Sequence, residues 1–236
     1  MKQKIRWGIL GAGKIVDRWI KGALQVEDME ICAIASRTEE TARRAAQRWN
    51  IPCVMTYEQM ASDDEIDVVY VAVPHTAHKE LALLAMQHKK HVLVEKPAAV
   101  NAAQFAEMMQ CAEENHVFLM EAVWTRFFPL MQEMKTLIRQ GTIGDVRCVQ
   151  ASFCFRTADD DHSRLTDPAA AGGSLLDVGV YVLNFADLVY DKEPEKLMGL
   201  ASINTDACHF QVDEQGAYIA RYDRGELAVL QGSIST

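Results

Sequence analysis

"WGILGAGKIV", residues 7–16, sets Gly8, Gly11 and Gly13 between an apolar run and a segment with apolar residues at helical spacing. Glycine weakens the interior of a strand or helix by about 0.5–1 kcal/mol relative to alanine. A cluster of glycines at such a junction therefore marks a place where the backbone turns tightly or lets another group approach. Gly11 and Gly13 take the first two positions of a G-x-G-x-x-G pattern, with Val16 at the third. A helix N-terminus after a glycine turn suits a phosphate, because its unpaired N–H groups and the helix dipole favour negative charge. Gly11, Gly13, Lys14 and Ile15 are thus candidate cofactor contacts, and Val16 is expected to hold the helix slightly off the sheet.

Outward from this turn the chain alternates. Strands are expected at "MEICAIAS" (29–36), "PCVM", "IDVVYVAVP" (66–74), "HVLVEKP" (91–97) and "VFLMEA" (117–122). Helices are expected between them at "TEETARRAAQRWN" (38–50), "HTAHKELALLAMQHK" and "NAAQFAEMMQCAEEN" (101–115). The run at 66–74 is apolar nearly throughout, as a strand covered on both faces should be. Such alternation implies right-handed crossovers and a doubly wound parallel sheet.

Beyond Trp124 the pattern changes to a helix near 129–140, a long strand at 145–156, a polar stretch at 157–171 and a helix near 173–190. "EKLMGLASINT", "GAYIARYD" and "GELAVLQGSIS" then read as strands, the last two joined as a hairpin across Asp223, Arg224 and Gly225. The expected organisation is a Rossmann domain over residues 1–122 and an α+β domain with a mainly antiparallel open sheet over 123–236. The end of the chain at Thr236, directly after a strand, reads as a shortened second domain.

The 33 acidic and 24 basic residues leave a net charge of −9, which argues against nucleic acid or an anionic membrane surface as partner. The six cysteines, Cys32, Cys53, Cys111, Cys148, Cys154 and Cys208, include no C-x-x-C pair; they read as reduced and mostly buried, and no metal site is expected. No stretch reaches 18 uninterrupted apolar residues, so a cytoplasmic location is expected.

At the end of the second strand, where an NAD site usually offers an acid to the ribose 2′-hydroxyl, the sequence has Ala35, Ser36 and Arg37. A hydroxyl followed by a guanidinium suits a 2′-phosphate and favours NADP over NAD. The plainer alternative is a helix start at Ser36 and Thr38 with a solvated Arg37.

Glu95, Lys96 and Pro97 after the fifth strand, together with "WGILGAGKI", resemble the Gfo/Idh/MocA oxidoreductase family. "EAVWTRFFP" (121–129) and "GGSLLDVGVYVLN" (172–184) resemble its branch of glucose-fructose oxidoreductase, dimeric dihydrodiol dehydrogenase and NADP-dependent xylose dehydrogenase. The resemblance implies a homodimer or higher homo-oligomer and a sugar or diol substrate. It puts Glu95 and Lys96 beside the nicotinamide and makes Lys96, Asp177 and Tyr181 catalytic. It also implies cofactor contacts for Pro74, His75, His78, Trp124 and Arg126, although His75 stands where the family has asparagine. Arg156 and Asp177 are candidate substrate contacts.

Alcohol oxidation needs a base for the hydroxyl proton while hydride leaves carbon. Tyrosine, with an ordinary pKa near 10, becomes such a base when an ammonium nearby favours the phenolate. Asp177, four residues before Tyr181, is expected on the same helix face. The competing class is a nucleotide-binding sensor, or an inactive shortened relative, that keeps the fold without turnover. A solvated lysine, a polar helix residue and a core tyrosine are the plainer roles of the three residues.

Overall fold

Residues 5–10 form β1 (Ile5–Leu10) and hand over through the glycine turn to α1 (Lys14–Ala23). The structure is a computed structural model and describes residues 4–157, 164–203 and 211–236. Two compact units are present, Met1–Ala122 and Val123–Thr236.

In the first unit, β2 (Met29–Ala35), α2 (Glu39–Trp49), β3 (Cys53–Val54), α3 (Tyr57–Ser62), β4 (Val68–Val71), α4 (His78–Gln87), β5 (His91–Val94), α5 (Ala102–Asn115) and β6 (Leu119–Glu121) follow β1 and α1. The strands pair in parallel in the order β3-β2-β1-β4-β5-β6, the doubly wound Rossmann order. Each face of this sheet is covered. Ile9, Ile34 and Tyr70 pack with Val16 and Ile20 of α1 on one side. Leu10, Val69 and Val71 pack with Leu81 and Met86 of α4 and Met108 of α5 on the other. That two-sided burial is why the central strands read as continuous apolar runs.

Helix starts follow local chemistry. The Thr38 hydroxyl accepts from Thr41 N at α2, and Asn101 accepts from Gln104 N at α5. Helix α3 lies where no element was expected; Thr56 and Gln59 form a capping box at its start, a signature present in the sequence as "TYEQ". Strand β4 ends at Val71, short of the expected Pro74, because the chain leaves the sheet there for a 3-10 turn at His75–Ala77.

The second unit contains α6 (Pro129–Arg139), β7 (Cys148–Cys154), α7 (Val180–Tyr190), β8 (Lys196–Ile203), β9 (Asp213–Arg221) and β10 (Leu227–Ser233). Its sheet order is β7-β10-β9-β8, antiparallel except for the β7–β10 pair. Val182 and Ala186 of α7 pack on Tyr218, Ala220, Ala228 and Leu230, so the apolar run Pro168–Tyr190, long and apolar enough to span a membrane, lies on this sheet. Strand β7 is shorter than the expected 145–156. Of the five described cysteines, all free, only Cys111 is buried. The expectation of mostly buried thiols is corrected: Cys148 and Cys154 alternate onto the outward face of β7. Cys208 and residues 158–163 of the polar stretch lie outside the described residues.

At the base of the first sheet, Arg6 N donates to Asp67 Oδ2 at 2.8 Å and Arg6 Nη2 to Asp67 Oδ1 at 2.8 Å. These bonds hold the Asp67 carboxyl below the usual carboxylate range. A carboxylate depressed in the folded state stabilises above its unfolded pKa of about 4 and loses that contribution as pH falls through the lower folded value. Asp67→Asn is therefore expected to lower the melting temperature at pH 7, with the gap to the parent narrowing as pH falls below the unfolded pKa of about 4. Thermal melts across that pH range check this; a gap that stays constant would contradict it.

Candidate functional site

The turn after β1 is shaped by exclusion. Gly11 has φ +115°, and a Cβ there would lie 2.2 Å from the Ala72 carbonyl oxygen. Only glycine is compatible with that approach. Gly13 differs: its φ is −78°, and a Cβ there would meet no heavy atom within 4 Å. The protein itself does not require glycine at 13, and the open space lies at the start of α1, where no side chain caps the helix. An uncapped N-terminus beside a bare backbone fits the pyrophosphate of a dinucleotide. Lys14 is exposed and Ile15 half-buried at the same end. Val16 is 1% exposed and packs with Ile9, Ile34 and Tyr70, so its extra bulk is absorbed into the core.

At the end of β2, Thr38 caps α2, so Ser36 is not needed as the cap. Ser36 is half-buried and Arg37 exposed. Among the described residues Arg37 has no acidic partner, and its charge acts on the hydroxyl of Tyr57. The pair fits a phosphate ester at the ribose, where an acid would repel it.

Pro74 is exposed after β4, while His75 and His78 are buried with ring centroids 5.6 Å apart. The His78 ring nitrogens lie 2.8 Å from the Pro97 and Val73 carbonyl oxygens. Burial lowers its pKa despite those bonds. His78 thus ties the loop after β4 to the loop after β5. In that second loop, the Glu95 carboxylate accepts from Tyr70 OH at 2.6 Å and from Lys96 N at 3.2 Å. Tyr70 stacks on Trp19 with centroids 4.4 Å apart. Burial raises the Glu95 pKa, opposed by the Tyr70 bond and the Lys96 charge. Lys96 is half-buried.

In the second unit, the Tyr181 hydroxyl accepts from Trp124 Nε1 at 3.0 Å, and its ring lies 5.4 Å from that of Phe153. A hydrogen bond donated to a phenolic oxygen favours the phenolate. Arg126 donates to Asn184 Oδ1 at 3.0 Å and Asp187 Oδ2 at 2.6 Å, which fastens it to α7. Asp177 is buried, and its Oδ1 accepts from Arg164 Nη2 at 3.1 Å. Arg156 is exposed and bridges to Ser235.

The expectation of an α-helical turn joining Asp177 to Tyr181 is corrected. Leu175–Gly179 is a π turn, which winds wider than an α turn. Gly179 backs onto Gly232, whose added Cβ would lie 3.2 Å from Gly179 N, and this close seat on β10 accommodates the wider turn. Sequence reasoning missed Tyr70, Phe153 and Arg164. Tyr70 carried a usable signal, a polar-tipped aromatic inside an otherwise aliphatic strand.

This fold and turn define a dinucleotide-binding protein. The model of the "Oxidoreductase family, NAD-binding Rossmann fold" matches residues 5–123, and that of the "GFO/IDH/MocA C-terminal domain" matches 131–236. The chain belongs to the Gfo/Idh/MocA family and is an NAD(P)-dependent dehydrogenase. It is 37% identical over 233 residues to trans-1,2-dihydrobenzene-1,2-diol dehydrogenase of Xenopus tropicalis, covering 97% of this chain and 69% of that protein. The Mus musculus protein of the same name is 38% identical, with 98% and 69% covered. Among solved structures, aldose-aldose oxidoreductase from Caulobacter crescentus with glycerol superposes with a TM-score of 0.92 at 26% identity, over 99% of this chain and 72% of that one. A 3-ketoreductase from Actinomadura kijaniata, in complex with NADP and TDP-benzene, gives 0.88 at 27% identity, over 99% and 71%.

The two glycines are expected to respond differently. Gly11→Ala forces a β-carbon onto a carbonyl and a side chain into positive φ, which should cost roughly 1–3 kcal/mol from conformation alone. Gly13→Ala should leave urea stability near that of the parent while weakening dinucleotide binding. Urea titrations and fluorescence titrations with the reduced cofactor check both; equal destabilisation by the two would contradict the assignment.

Proposed function

We propose that the protein is a cytoplasmic NADP-dependent oxidoreductase that moves a hydride between nicotinamide and a CH–OH carbon of a sugar, polyol or vicinal diol. Tyr181 exchanges the hydroxyl proton, Lys96 favours its phenolate, and Asp177 orients the substrate hydroxyl. The observation that carries this reading is the Tyr181 phenol at the start of α7, its oxygen receiving the Trp124 indole N–H at 3.0 Å, with Asp177 in the π turn just before that helix.

In the oxidative direction the substrate C–H bond breaks with its electron pair leaving as hydride, the O–H proton passes to Tyr181, and a C=O bond forms. NADP, when bound, supplies the hydride acceptor and in reverse the donor. Gly11, Gly13, Lys14 and Ile15 would hold its pyrophosphate, and Ser36 and Arg37 its 2′-phosphate. Pro74, His75, His78 and Glu95 would shape the loops around Lys96, with Trp124 and Arg126 as further cofactor contacts and Arg156 as a substrate contact. On this reading residues 1–122 bind dinucleotide and 123–236 bind substrate. The diol dehydrogenase and aldose oxidoreductase names of the relatives support the substrate class, and the 3-ketoreductase complex supports NADP. The outward sheet face, with Met198 73% and Leu200 84% exposed, supports a homodimer or higher homo-oligomer. Free thiols throughout the described cysteines suit a reducing compartment.

Arg37→Ala should weaken NADP binding by roughly 1.5–3 kcal/mol, the worth of a charged hydrogen-bonded contact, and leave NAD binding unchanged. Paired titrations with the two cofactors check this, and equal weakening of both would remove Arg37 from the 2′-phosphate.

The chemical step is tested with NADP and a panel of aldoses and diols, followed by absorbance of the reduced nicotinamide. Tyr181→Phe, which deletes only the hydroxyl, should lower kcat by orders of magnitude and leave cofactor affinity near the parent value. Lys96→Met should also lower kcat, and the double variant should be little worse than the poorer single one, since groups acting as one unit are non-additive. Full activity in Tyr181→Phe would move proton transfer to another residue.

A further inference from the structure

The segment bearing Asp177 and Tyr181 begins without a cap of its own: Ser174 sits in right-handed helical backbone with no side-chain cap bond. Its missing acceptor comes from another element. Asp213, the first residue of β9, accepts from Ser174 Oγ at 2.7 Å and from Leu175 N at 2.6 Å through the same carboxylate oxygen, Oδ2. The other oxygen lies where a side chain at residue 173 would be, since a Cβ on Gly173 would come within 2.0 Å of Asp213 Oδ1.

Gly173 has φ +107°, donates its N–H to the Leu165 carbonyl at 2.8 Å and accepts from Asp177 N at 3.2 Å. Gly172 is pressed in the same way, an added Cβ there lying 2.5 Å from the Leu165 carbonyl oxygen. The glycine pair of "GGSLLDVGVY" is therefore a seat for two other pieces of chain, and the Asp213 carboxylate fills half of it. One backbone hydrogen bond separates that seat from Asp177.

We infer that Asp213 is a positioning residue for the reaction, its carboxylate anchoring the start of the π turn so that Asp177 and Tyr181 are held in one orientation. The inference rests on the proposed roles of Asp177 and Tyr181 for its catalytic consequence, and on geometry alone for the anchor. A wide π turn is a poor helix nucleus and often marks a functional position. An anion at the helix start, bonded to a backbone N–H, stabilises it electrostatically and by satisfying an orphan donor.

Hydrogen exchange read by mass spectrometry, with steady-state kinetics on the same full-length variants, tests the anchor. In Asp213→Ala, amides of residues 174–179 should exchange about tenfold faster or more, the scale set by losing a charged hydrogen bond, while those of β10 keep the parent rate. kcat should fall about tenfold or more with KM for NADP unchanged, since the cofactor turn is not touched. Asp213→Asn, which keeps one acceptor oxygen, should fall between parent and alanine variant. Ser174→Ala, which removes one donor and leaves the backbone bond, should show a smaller change in the same direction and serves if the alanine variant does not fold. Unchanged exchange at 174–179 overturns the anchor. Faster exchange with parent kcat overturns the positioning role, and equal acceleration across β9 and β10 overturns it in favour of general stabilisation. A parent without turnover on any sugar or diol fails the proposed function and, with it, the catalytic role of Asp213; the exchange result then decides the anchor separately.

Discussion

The closest approach that organises the first unit is that of the Ala72 carbonyl to the α-carbon of Gly11. Residue 11 directly follows β1 and residue 72 directly follows β4, the neighbouring strands at which the order of the sheet reverses. Chains leave such a switch point in opposite directions and open a crevice above the strand ends. Any side chain at 11 would push the two strand ends apart and turn α1 away from the crevice. With hydrogen there, the N-terminus of α1 faces the crevice and Gly13 lies bare beside it. The shape of this candidate nucleotide site follows from one excluded methyl group.

Glycine does the same work in the second unit, with a different result. Gly172, Gly173, Gly179 and Gly232 let the Leu165 carbonyl, the Asp213 carboxylate and the neighbouring backbone crowd against the segment that starts α7. The result is a helix entry held by bonds from elsewhere in the unit, wound as a π turn and carrying a buried aspartate four residues ahead of a tyrosine. Arg126, bonded to Asn184 and Asp187, and Trp124, bonded to Tyr181, fasten the stretch just after β6 to the exposed side of the same helix.

Burial tunes the groups of the loop after β5 in the first unit. The loop carrying Glu95 and Lys96 is held from below by Tyr70, which is fully buried and stacked on Trp19, and from the side by His78. Removing a carboxylate from water raises its pKa unless donors replace the lost hydration. Tyr70 OH and Lys96 N supply two such donors to Glu95. Neither Tyr70 nor His78 need touch a ligand to set where the Lys96 backbone lies.

Sequence by itself determined the alternation of strands and helices, the parallel sheet, the glycine turn and the candidate residues on it, because each is a local property of spacing, composition or turn chemistry. "WGILGAGKIV" needed no partner to be read, and Thr56 with Gln59 would have revealed α3 in the same way. Tertiary structure decided what depends on approach between distant segments. That Gly11 answers to Ala72, that His78 meets the Pro97 carbonyl, and that Asp213 anchors the turn before Asp177 are contacts across many residues of chain. The π turn belongs to this second group. Its spacing of apolar residues is that of an ordinary helix, and the seat of Gly179 against Gly232 and the Asp213 bonds at its start come from segments distant in the chain.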